Sequence, residues 1–155
     1  MKKIVAATLF LGISALLITS CKKKENTNPD GTPDLATFKV VVDGTTYTPI
    51  LGNTQHTGGV ITYQAQTGVN TNFTLQISDT LMAGTHAITN ALPFRVFTTD
   101  DGNNTFYFGT SGSVTVVSHD TVANKIKGTF NATLTRSSPA GTKTLSSGEF
   151  NITYP

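Results

Sequence analysis

The stretch FKVVVDGTTY, residues 38–47, indicates the fold class most directly. Phe38, Val40 and Val42 occupy every second position, a spacing that puts side chains on one face of a β-strand. Asp43-Gly44 follows at once, and this dipeptide favours a type I′ turn, in which both central residues need a positive φ. The stretch therefore predicts a β-hairpin with one apolar face.

A two-residue turn at this position also predicts the register of the hairpin. The expected cross-strand pairs are Val42 with Thr45, Val40 with Tyr47 and Phe38 with Pro49. These pairs keep the apolar side chains on one face, which supports the register. Pro49 has no N–H to donate, so the second strand is expected to end there or to lie at a sheet edge.

Alternating apolar positions continue along the rest of the chain, between short turn-forming segments. The further predicted strands cover residues 60–66, 72–78, 84–88, 94–98, 105–108, 113–118, 125–135 and 148–154. Thr, Val, Phe and Tyr dominate these runs, and such residues favour a half-buried pleated surface. No segment after the first 20 residues has a helical period. We therefore predict one all-β domain over residues 36–155, an antiparallel β-sandwich or flattened barrel of about 8–10 short strands.

Two segments near the C-terminus share the pattern G-x-F-N-x-T followed by an apolar residue, one beginning at Gly128 and the other at Gly148. A duplication would explain this echo, and so would two neighbouring strands of one hairpin that meet the same surroundings. We prefer the second interpretation. It predicts that Phe130 and Phe150 are buried and that the Asn and Thr of each segment point outward.

The N-terminal region has the three parts of a secretory signal. Lys2 and Lys3 are basic, residues 4–18 are apolar with small interruptions, and Ile18-Thr19-Ser20-Cys21 follows. The apolar run is shorter than the roughly 20 residues that a transmembrane helix needs. Its last four residues resemble the bacterial lipobox, in which cleavage precedes the Cys and a diacylglycerol is attached to its sulfur. We expect residues 1–20 to be a helical lipoprotein signal peptide and Cys21 to carry lipid.

Cys21 is the one cysteine of the chain, so its lipidation would leave no thiol for a disulfide. Residues 22–35, KKKENTNPDGTPDL, are polar and contain two Pro and one Gly, so residues 21–35 are predicted to form a lipidated, disordered tether. Removal of Lys2 and Lys3 from the 11 basic residues leaves 9 against 9 acidic residues. A domain without excess positive charge lacks the basic surface that binds nucleic acid, so we expect no nucleic-acid partner.

The mature chain resembles the small Bacteroidota lipoproteins of unknown function that include the DUF6252 families. The resemblance rests on the lipobox and tether, on FKVVVDG at residues 38–44, on Gly84-Thr85-His86, and above all on KGTFNA at 127–132 and SGEFNI at 147–152. Relatives often carry an aromatic residue in place of His86. The resemblance implies a compact β-domain in the cell envelope. It carries over no catalytic residue, because none is established for the group.

The residue types that support catalysis or metal binding are scattered along the sequence. No G-x-S-x-G motif marks a nucleophilic serine, and the segment Gly109–Gly112 is better interpreted as a turn. His56, His86 and His119 are far apart, although separate strands could bring them together. We expect no catalytic residue, no metal site and no cofactor.

Two other features could bind a ligand. One is an oxygen-rich cluster formed by Asp100, Asp101, Asn103 and Asn104. It lacks the spacing of an EF-hand loop and is more typical of a hairpin loop. The second is an aromatic platform, since sugars commonly stack on flat rings. The chain has no Trp, and most Phe residues are expected in the core, which leaves Tyr47, Tyr63 and Tyr107 as possible platforms, although each is more typical of a core or rim position.

A short motif occurs twice, as Asp79-Thr80-Leu81 and as Asp120-Thr121-Val122. It resembles the Bacteroidota periplasmic O-glycosylation sequon, which is Asp, then Ser or Thr, then an aliphatic residue. Both copies fall in predicted loops, so Thr80 and Thr121 are possible O-glycosylation sites. In so Thr-rich a chain, one match is expected by chance.

These observations predict a non-enzymatic cell-envelope lipoprotein that acts as a binding or accessory module for an unidentified ligand. Its partners would be the membrane, through lipid on Cys21, and an envelope protein or a glycan, recognised by loops at residues 52–59, 100–104 and 137–141. Two alternatives stay open: a lipocalin-like carrier of a small apolar ligand, and an envelope hydrolase with a site assembled from distant residues. The outer membrane is the expected location. The basic residues after Cys21, in place of an acidic run, favour its periplasmic face over the cell surface.

Overall fold

A computed structural model describes residues 37–68, 71–99 and 105–155 of the chain. Within these ranges the regular structure is all β, with ten strands and no helix. The strands are β1 Thr37–Val42, β2 Thr45–Tyr47, β3 Leu51–Thr57, β4 Val60–Gln66, β5 Asn72–Ser78, β6 Gly84–Ala87, β7 Phe94–Thr99, β8 Phe106–Asp120, β9 Lys125–Ser137 and β10 Ala140–Thr153. The predicted signal peptide with Ile18, Thr19 and Ser20, the lipidation site Cys21, the tether, and the cluster at residues 100–104 lie outside the described residues.

The strands form one antiparallel sheet in the order β2-β1-β10-β9-β8-β7-β5-β4-β3, and β6 pairs with β8 beside this path. The two edge strands, β2 and β3, are separated in sequence by residues 48–50 alone. The sheet therefore curls into a half-barrel, so that its two ends approach each other. Contacts across the curl agree with this shape: the Phe38 ring of β1 lies 5.9 Å from the Tyr63 ring of β4 and 5.7 Å from the Phe73 ring of β5.

The hydrophobic core lies on the concave side of the curled sheet. Every second residue of the central strands is buried, as the burial pattern of β9, Lys125–Ser137, illustrates. The largest fully buried side chains are Tyr63, Phe73, Phe94, Phe130, Ile61, Leu75, Ile77, Ile88, Ile126, Leu134, Leu145 and Ile152. Burial of this apolar surface is the main force that holds the sheet in its curled form.

The predicted all-β antiparallel fold is confirmed, and the structure is closer to the flattened barrel than to two separate sheets. The first hairpin has the predicted turn, with φ values of 45° at Asp43 and 86° at Gly44. Val42 pairs with Thr45 and Val40 with Tyr47, as predicted. The strand ends before Pro49, so the third predicted pair, between Phe38 and Pro49, does not form.

Three predictions about the strands and loops were wrong. The last strand begins at Ala140 rather than at Gly148, so the loop expected at residues 137–141 is reduced to the turn Ser138-Pro139 between β9 and β10. The strands predicted at residues 105–108 and 113–118 are one 15-residue strand, β8, and the segment Gly109–Gly112 is part of it rather than a turn. The pairing of β8 with β9 shifts between Gly109 and Ser111, so these glycines accommodate a β-bulge. Residues 52–59, expected to be a loop, are mostly strand β3.

The echo between the two C-terminal segments has the predicted cause. Strands β9 and β10 pair in antiparallel, with Phe130 opposite Gly148 and Phe150 opposite Gly128. Both Phe side chains are buried. The two segments therefore meet the same surroundings because each faces the other.

In the described part of the chain there is no helix that is long and apolar enough to cross a membrane.

Candidate functional site

Three phenylalanine side chains lie together on the outer, convex surface of the sheet. Phe97 of β7 and Phe108 of β8 have ring centroids 5.8 Å apart, and Phe106 lies 6.0 Å from Phe108 and 6.2 Å from Phe97. The planes of the Phe106 and Phe108 rings differ by 25°, so these two rings are nearly parallel. Phe106 is 43% exposed, and the other two are half-buried. We call these three residues the aromatic face.

The strand register explains why these rings lie outside. Side chains alternate between the two faces of a strand, and the buried neighbours Val96, Thr98 and Tyr107 point to the concave side. Phe97 pairs directly with Phe108 across β7 and β8. The same row continues through Thr74 of β5 and Thr135 of β9, so threonines flank the two rings.

An open groove of about 420 Å³ adjoins the aromatic face. Its lining residues are Asn90, Thr105, Phe106, Phe108, Thr110, Thr135, Arg136, Ser137 and Ser138. Apart from the two phenyl rings, all of these carry a group that forms hydrogen bonds, namely five hydroxyls, one amide and one guanidinium. Among the described residues of the lining there is no carboxylate. The groove therefore combines two phenyl rings with a polar rim whose described part carries one charge.

Arg95 lies beside the aromatic face. Its guanidinium carbon lies 5.9 Å from the centre of the Phe97 ring, within the range of a cation–π contact. One terminal nitrogen donates to Gln76 Oε1 at 3.1 Å and the other to Asn90 Oδ1 at 3.3 Å. The Nε of Arg95 is buried and has no hydrogen-bond acceptor among the described residues. Arg95 thus holds Asn90, which lines the groove, in place next to the rings.

Of the three loops expected to carry recognition, the one at residues 100–104 lies outside the described residues. Ser137, the last residue of β9, and Ser138, in the turn that follows, line the groove. Residues 52–59 lie in the edge strand β3 and the turn after it.

No family model, no curated protein and no solved structure matches this chain.

A second groove, of about 490 Å³, lies where the two ends of the sheet approach each other. It is lined by Thr37, Phe38, Pro49, Ile50, Leu51, Gly52 and Tyr63. Side chains with polar groups are few in this lining, with one hydroxyl each on Thr37 and Tyr63. Since ligand sites need several placed polar groups to orient what they bind, the groove at the aromatic face is the better candidate.

The structure brings two of the three histidines together around Tyr154. His56 donates from Nε2 to Asp79 Oδ2 at 3.1 Å, and its ring lies 5.1 Å from the Tyr154 ring. His119 Nδ1 lies 2.9 Å from the Leu81 carbonyl oxygen, which can only accept, so Nδ1 carries the proton. In the neutral imidazole, Nε2 then accepts from the Tyr154 hydroxyl at 2.8 Å. We call His56, Asp79, His119 and Tyr154 the histidine cluster.

Burial raises the pKa of the Tyr154 phenol above its ordinary value, and the carboxylates of Asp79 and Asp120 raise it further. A negative phenolate would be both poorly hydrated and close to two like charges, so Tyr154 stays a neutral hydrogen-bond donor at neutral pH. This state suits its role of donating to His119.

The histidine cluster has some but not all of the parts of a hydrolytic site. His56 with Asp79 resembles a base and its orienting acid. However, no Ser or Thr hydroxyl in residues 37–68, 71–99 and 105–155 is hydrogen-bonded to either imidazole. No group of three metal ligands occurs in the same ranges. His86 lies apart and is hydrogen-bonded to the Met82 carbonyl oxygen at 2.9 Å. The hydrolase alternative stays a prediction, with one Asp–His pair in its favour.

The two possible O-glycosylation sites lie in exposed turns. Thr80 follows β5, and its hydroxyl lies 2.8 Å from that of Ser78. Thr121 follows β8, in a turn where Asp120 Oδ1 accepts from the backbone N–H groups of Val122 and Ala123. Both side chains are exposed. Whether they are modified stays a prediction.

The three tyrosines lie where the sequence interpretation preferred them, in the core or against it: Tyr63 and Tyr107 are buried, and Tyr47 packs against the core. Sequence reasoning did not single out Phe97, Phe106 or Phe108, and the signal that it missed is the phase of alternation. Phe94 and Phe97 are an odd number of positions apart, so in one strand they cannot both point to the core. Phe106 and Phe108 flank Tyr107, so a buried Tyr107 places both of them outside.

Proposed function

We propose that this protein is a lipid-anchored, non-enzymatic binding module of the cell envelope, and that it binds its ligand at the aromatic face and the adjoining groove. The observation that carries the proposal is the position of Phe97, Phe106 and Phe108 on the convex surface, opposite the core. Clustered aromatic side chains on a solvent-facing surface lose the benefit of burial until something covers them.

The rigidity of the surrounding sheet supports the same conclusion. Phe97 and Phe108 form a direct cross-strand pair between β7 and β8, and Thr135 of β9 pairs with Phe108 on the other side. A ligand would therefore meet side chains whose backbone is already fixed. Aromatic rings also have few rotatable bonds, so little conformational entropy is lost when they bind.

The interior of the sheet favours a surface site over the lipocalin-like carrier. Bulky side chains from opposite parts of the curl meet there. For example, the Phe130 ring lies 6.1 Å from Phe38 and 6.0 Å from Phe94. A carrier of this class holds its ligand inside an open barrel, in space that these rings occupy here.

The anchor is the part of the proposal that rests on sequence alone. Ile18-Thr19-Ser20-Cys21 after a short apolar run supports lipidation of Cys21 and a location at the outer membrane. The tether at residues 21–35 would then hold the binding module away from the membrane surface. We place the module on the periplasmic side because Lys22, Lys23 and Lys24 follow the anchor.

Binding to envelope material tests the proposal. The lipidated protein, reconstituted in nanodiscs on a biosensor, is exposed to two pools from isolated cell envelopes: detergent-extracted proteins, and protease-treated glycans. We expect one pool to bind and the Phe106→Ala/Phe108→Ala variant to bind at least about tenfold more weakly, as for aromatic hot spots. Val122→Ala, at a 95% exposed residue away from the aromatic face, is the matched control and should bind like the wild type.

Two results would overturn the proposal. The first is that neither pool binds to the wild-type protein. The second is that the double variant binds as strongly as the wild type, which would mean that the ligand contacts another surface.

A further inference from the structure

We infer that the ligand of the aromatic face is a glycan, held with its sugar rings stacked on Phe106 and Phe108 and its hydroxyls bonded to the rim of the groove. This inference rests on the proposed function and names the ligand class of the same site. The shape of the platform, the chemistry of its rim and the charge of the groove support it.

The shape of the platform fits a sugar ring. Phe106 and Phe108 are stacked, with centroids 6.0 Å apart and planes that differ by 25°, and Phe106 is 43% exposed, so the pair offers a ligand one exposed ring that is supported by a second. A pyranose ring has faces made of C–H groups, which gain dispersion and hydrophobic contact on a phenyl ring. Phe97, at 5.8 Å from Phe108, extends the apolar surface to the neighbouring strand.

The chemistry of the rim fits sugar hydroxyls. Thr135, Ser137 and Ser138 line the groove with hydroxyls that can both donate and accept a hydrogen bond, and Thr110, whose hydroxyl donates to the Thr133 backbone oxygen at 3.3 Å, can still accept one. A sugar hydroxyl also does both, so each such pair satisfies the two partners. A rim of this kind suits a ligand whose edge is covered with hydroxyls, more than an apolar ligand that needs an enclosed pocket.

Asn90 adds a directed donor to this rim. Its Oδ1 accepts from Arg95 Nη2 at 3.3 Å, which fixes the orientation of the amide. The two N–H groups of the amide are thereby left for a ligand in the groove that Asn90 lines. Arg95 itself is held by Gln76 at 3.1 Å, so the donor is preorganised.

The charge and openness of the site disfavour the main competing ligand classes. Among the described residues, the groove lining contains one cation, Arg136, and no anion, and Arg95 lies beside Phe97. Nucleic acids are bound mainly through several Lys or Arg contacts to phosphates, and two guanidiniums that are both hydrogen-bonded within the protein do not provide them. Protein partners bind most strongly where Trp, Tyr or Arg enters a deep, fully desolvated pocket, and this groove is open. A neutral or weakly acidic glycan suits both the charge and the openness of the groove.

Defined polysaccharides test the inference. Nanodiscs that carry the lipidated protein are exposed on a biosensor to dextran, xylan, mannan and laminarin, and to the protease-treated glycan pool of the envelope. We expect at least one of these probes to bind. The affinity should fall at least about tenfold in Phe106→Ala/Phe108→Ala and by a smaller factor in Asn90→Ala.

Two further variants test the inference even if the double variant does not fold. Phe106→Ala alone changes the most exposed ring and should still weaken binding several-fold. Phe106→Tyr keeps a flat ring and should weaken binding less than Phe106→Ala does. Val122→Ala again serves as the matched control, and far-ultraviolet circular dichroism checks that each variant is folded.

The outcomes separate this inference from the proposed function. If no polysaccharide and no envelope glycan binds, but envelope proteins bind and the binding needs Phe106 and Phe108, the glycan inference is overturned and the binding module stands. If neither pool binds, both fall. If glycans bind equally well to the wild type and to the double variant, the assignment of the site is wrong.

Discussion

At the scale of single residues, Phe130 and Phe150 show how two strands of the sheet depend on each other. Each ring covers the glycine opposite it: a Cβ built at Gly148 would lie 2.6 Å from Phe130 Cζ, and one built at Gly128 would lie 2.7 Å from Phe150 Cζ. A large ring over a glycine in the next strand fills the space that a side chain would otherwise occupy. The repeated sequence pattern thus reflects one contact, a Phe ring packed over a Gly of the neighbouring strand, which occurs once in each direction between β9 and β10.

Substitution of these glycines should therefore destabilise the protein to different degrees. A Cβ at Gly128 would also meet the backbone oxygen of Thr115, which cannot rotate away, whereas the obstacles at Gly148 are atoms of the Phe130 ring. We expect Gly148→Ala to lower the free energy of unfolding by about 1–3 kcal/mol, and Gly128→Ala to lower it more. Urea unfolding followed by circular dichroism measures both. Gly68→Ala, where a Cβ has only ordinary contacts, is the control, and equal losses at all three positions would contradict the packing argument.

Tyr154 makes stability depend on pH in the alkaline range. Because burial raises its pKa, folded Tyr154 keeps its proton at a pH where the unfolded chain, with a phenol pKa near 10, has lost it. The unfolded state is then favoured, so the stabilising contribution is complete below this pH and is lost as the pH rises through the folded-state pKa. Tyr63, whose pKa burial also raises, acts in the same direction.

Tyr154→Phe should separate this effect from the hydrogen bond to His119. At neutral pH the variant loses a donor to His119 Nε2, and we expect it to be less stable by about 1 kcal/mol. As the pH rises above about 10, the wild type loses stability faster than the variant, so the difference between them should narrow. Urea unfolding at a series of pH values measures the difference. A constant difference across the series would show that Tyr154 titrates alike in the folded and unfolded states.

At the scale of secondary structure elements, the sequence predicted strands well where hydrophobic alternation is regular and turns are explicit. Strands β4 and β5 begin and end where expected, at Val60–Gln66 and Asn72–Ser78. The prediction failed at β8, because glycine pairs mark both turns and bulges. Gly112 has a φ of 132° and lies against the backbone of Asn131 in the neighbouring strand. Only the presence of that strand distinguishes a close backbone approach from a turn, and one segment of sequence does not contain this information.

The first hairpin is attached to the rest of the sheet through its turn. Asp43 Oδ1 accepts from the Thr144 backbone N–H at 2.8 Å, and the Asp43 N–H donates to the Thr144 oxygen at 3.0 Å. Asp43→Ala removes the side-chain acceptor. It also places Ala at a positive φ, a conformation that Ala adopts less readily than Asp or Asn. We expect a loss of about 1–3 kcal/mol in the free energy of unfolding.

Asp43→Asn is the matched control for this prediction. Asn also tolerates a positive φ and retains a side-chain oxygen that can accept from Thr144. It should lose clearly less stability than Asp43→Ala in the same urea unfolding experiment. Equal losses would indicate that the negative charge, rather than the turn conformation, is what matters at this position.

At the scale of the whole molecule, the class of fold was predictable and the candidate site was not. The core alternation of residues such as Val40 and Ile126 is visible in the sequence, and it determines an antiparallel β-domain. The aromatic face depends on which strands are neighbours. Phe97 and Phe108 come together because β7 pairs with β8, and the groove also needs Ser137 from the end of β9. Residues from distant elements meet only after the sheet has formed. Sequence periodicity alone could have shown that these Phe side chains point outward, but it could not have shown that they lie together.

The aromatic face is held in the envelope only if Cys21 carries lipid. Two acyl chains or more, at roughly 0.8 kcal/mol per buried CH₂, hold a protein stably on a bilayer, whereas about 1 kcal/mol per basic residue near anionic lipids does not. We therefore expect the wild-type protein to fractionate with membranes, to resist a high-salt wash and to be released by detergent. Cys21→Ala should appear in the soluble fraction. A variant with Lys22, Lys23 and Lys24 changed to Ala is the matched control and should stay with the membranes. If Cys21→Ala also stayed there, lipid on Cys21 would not be the anchor, and the tether would have no attachment point from which to hold the aromatic face in the envelope.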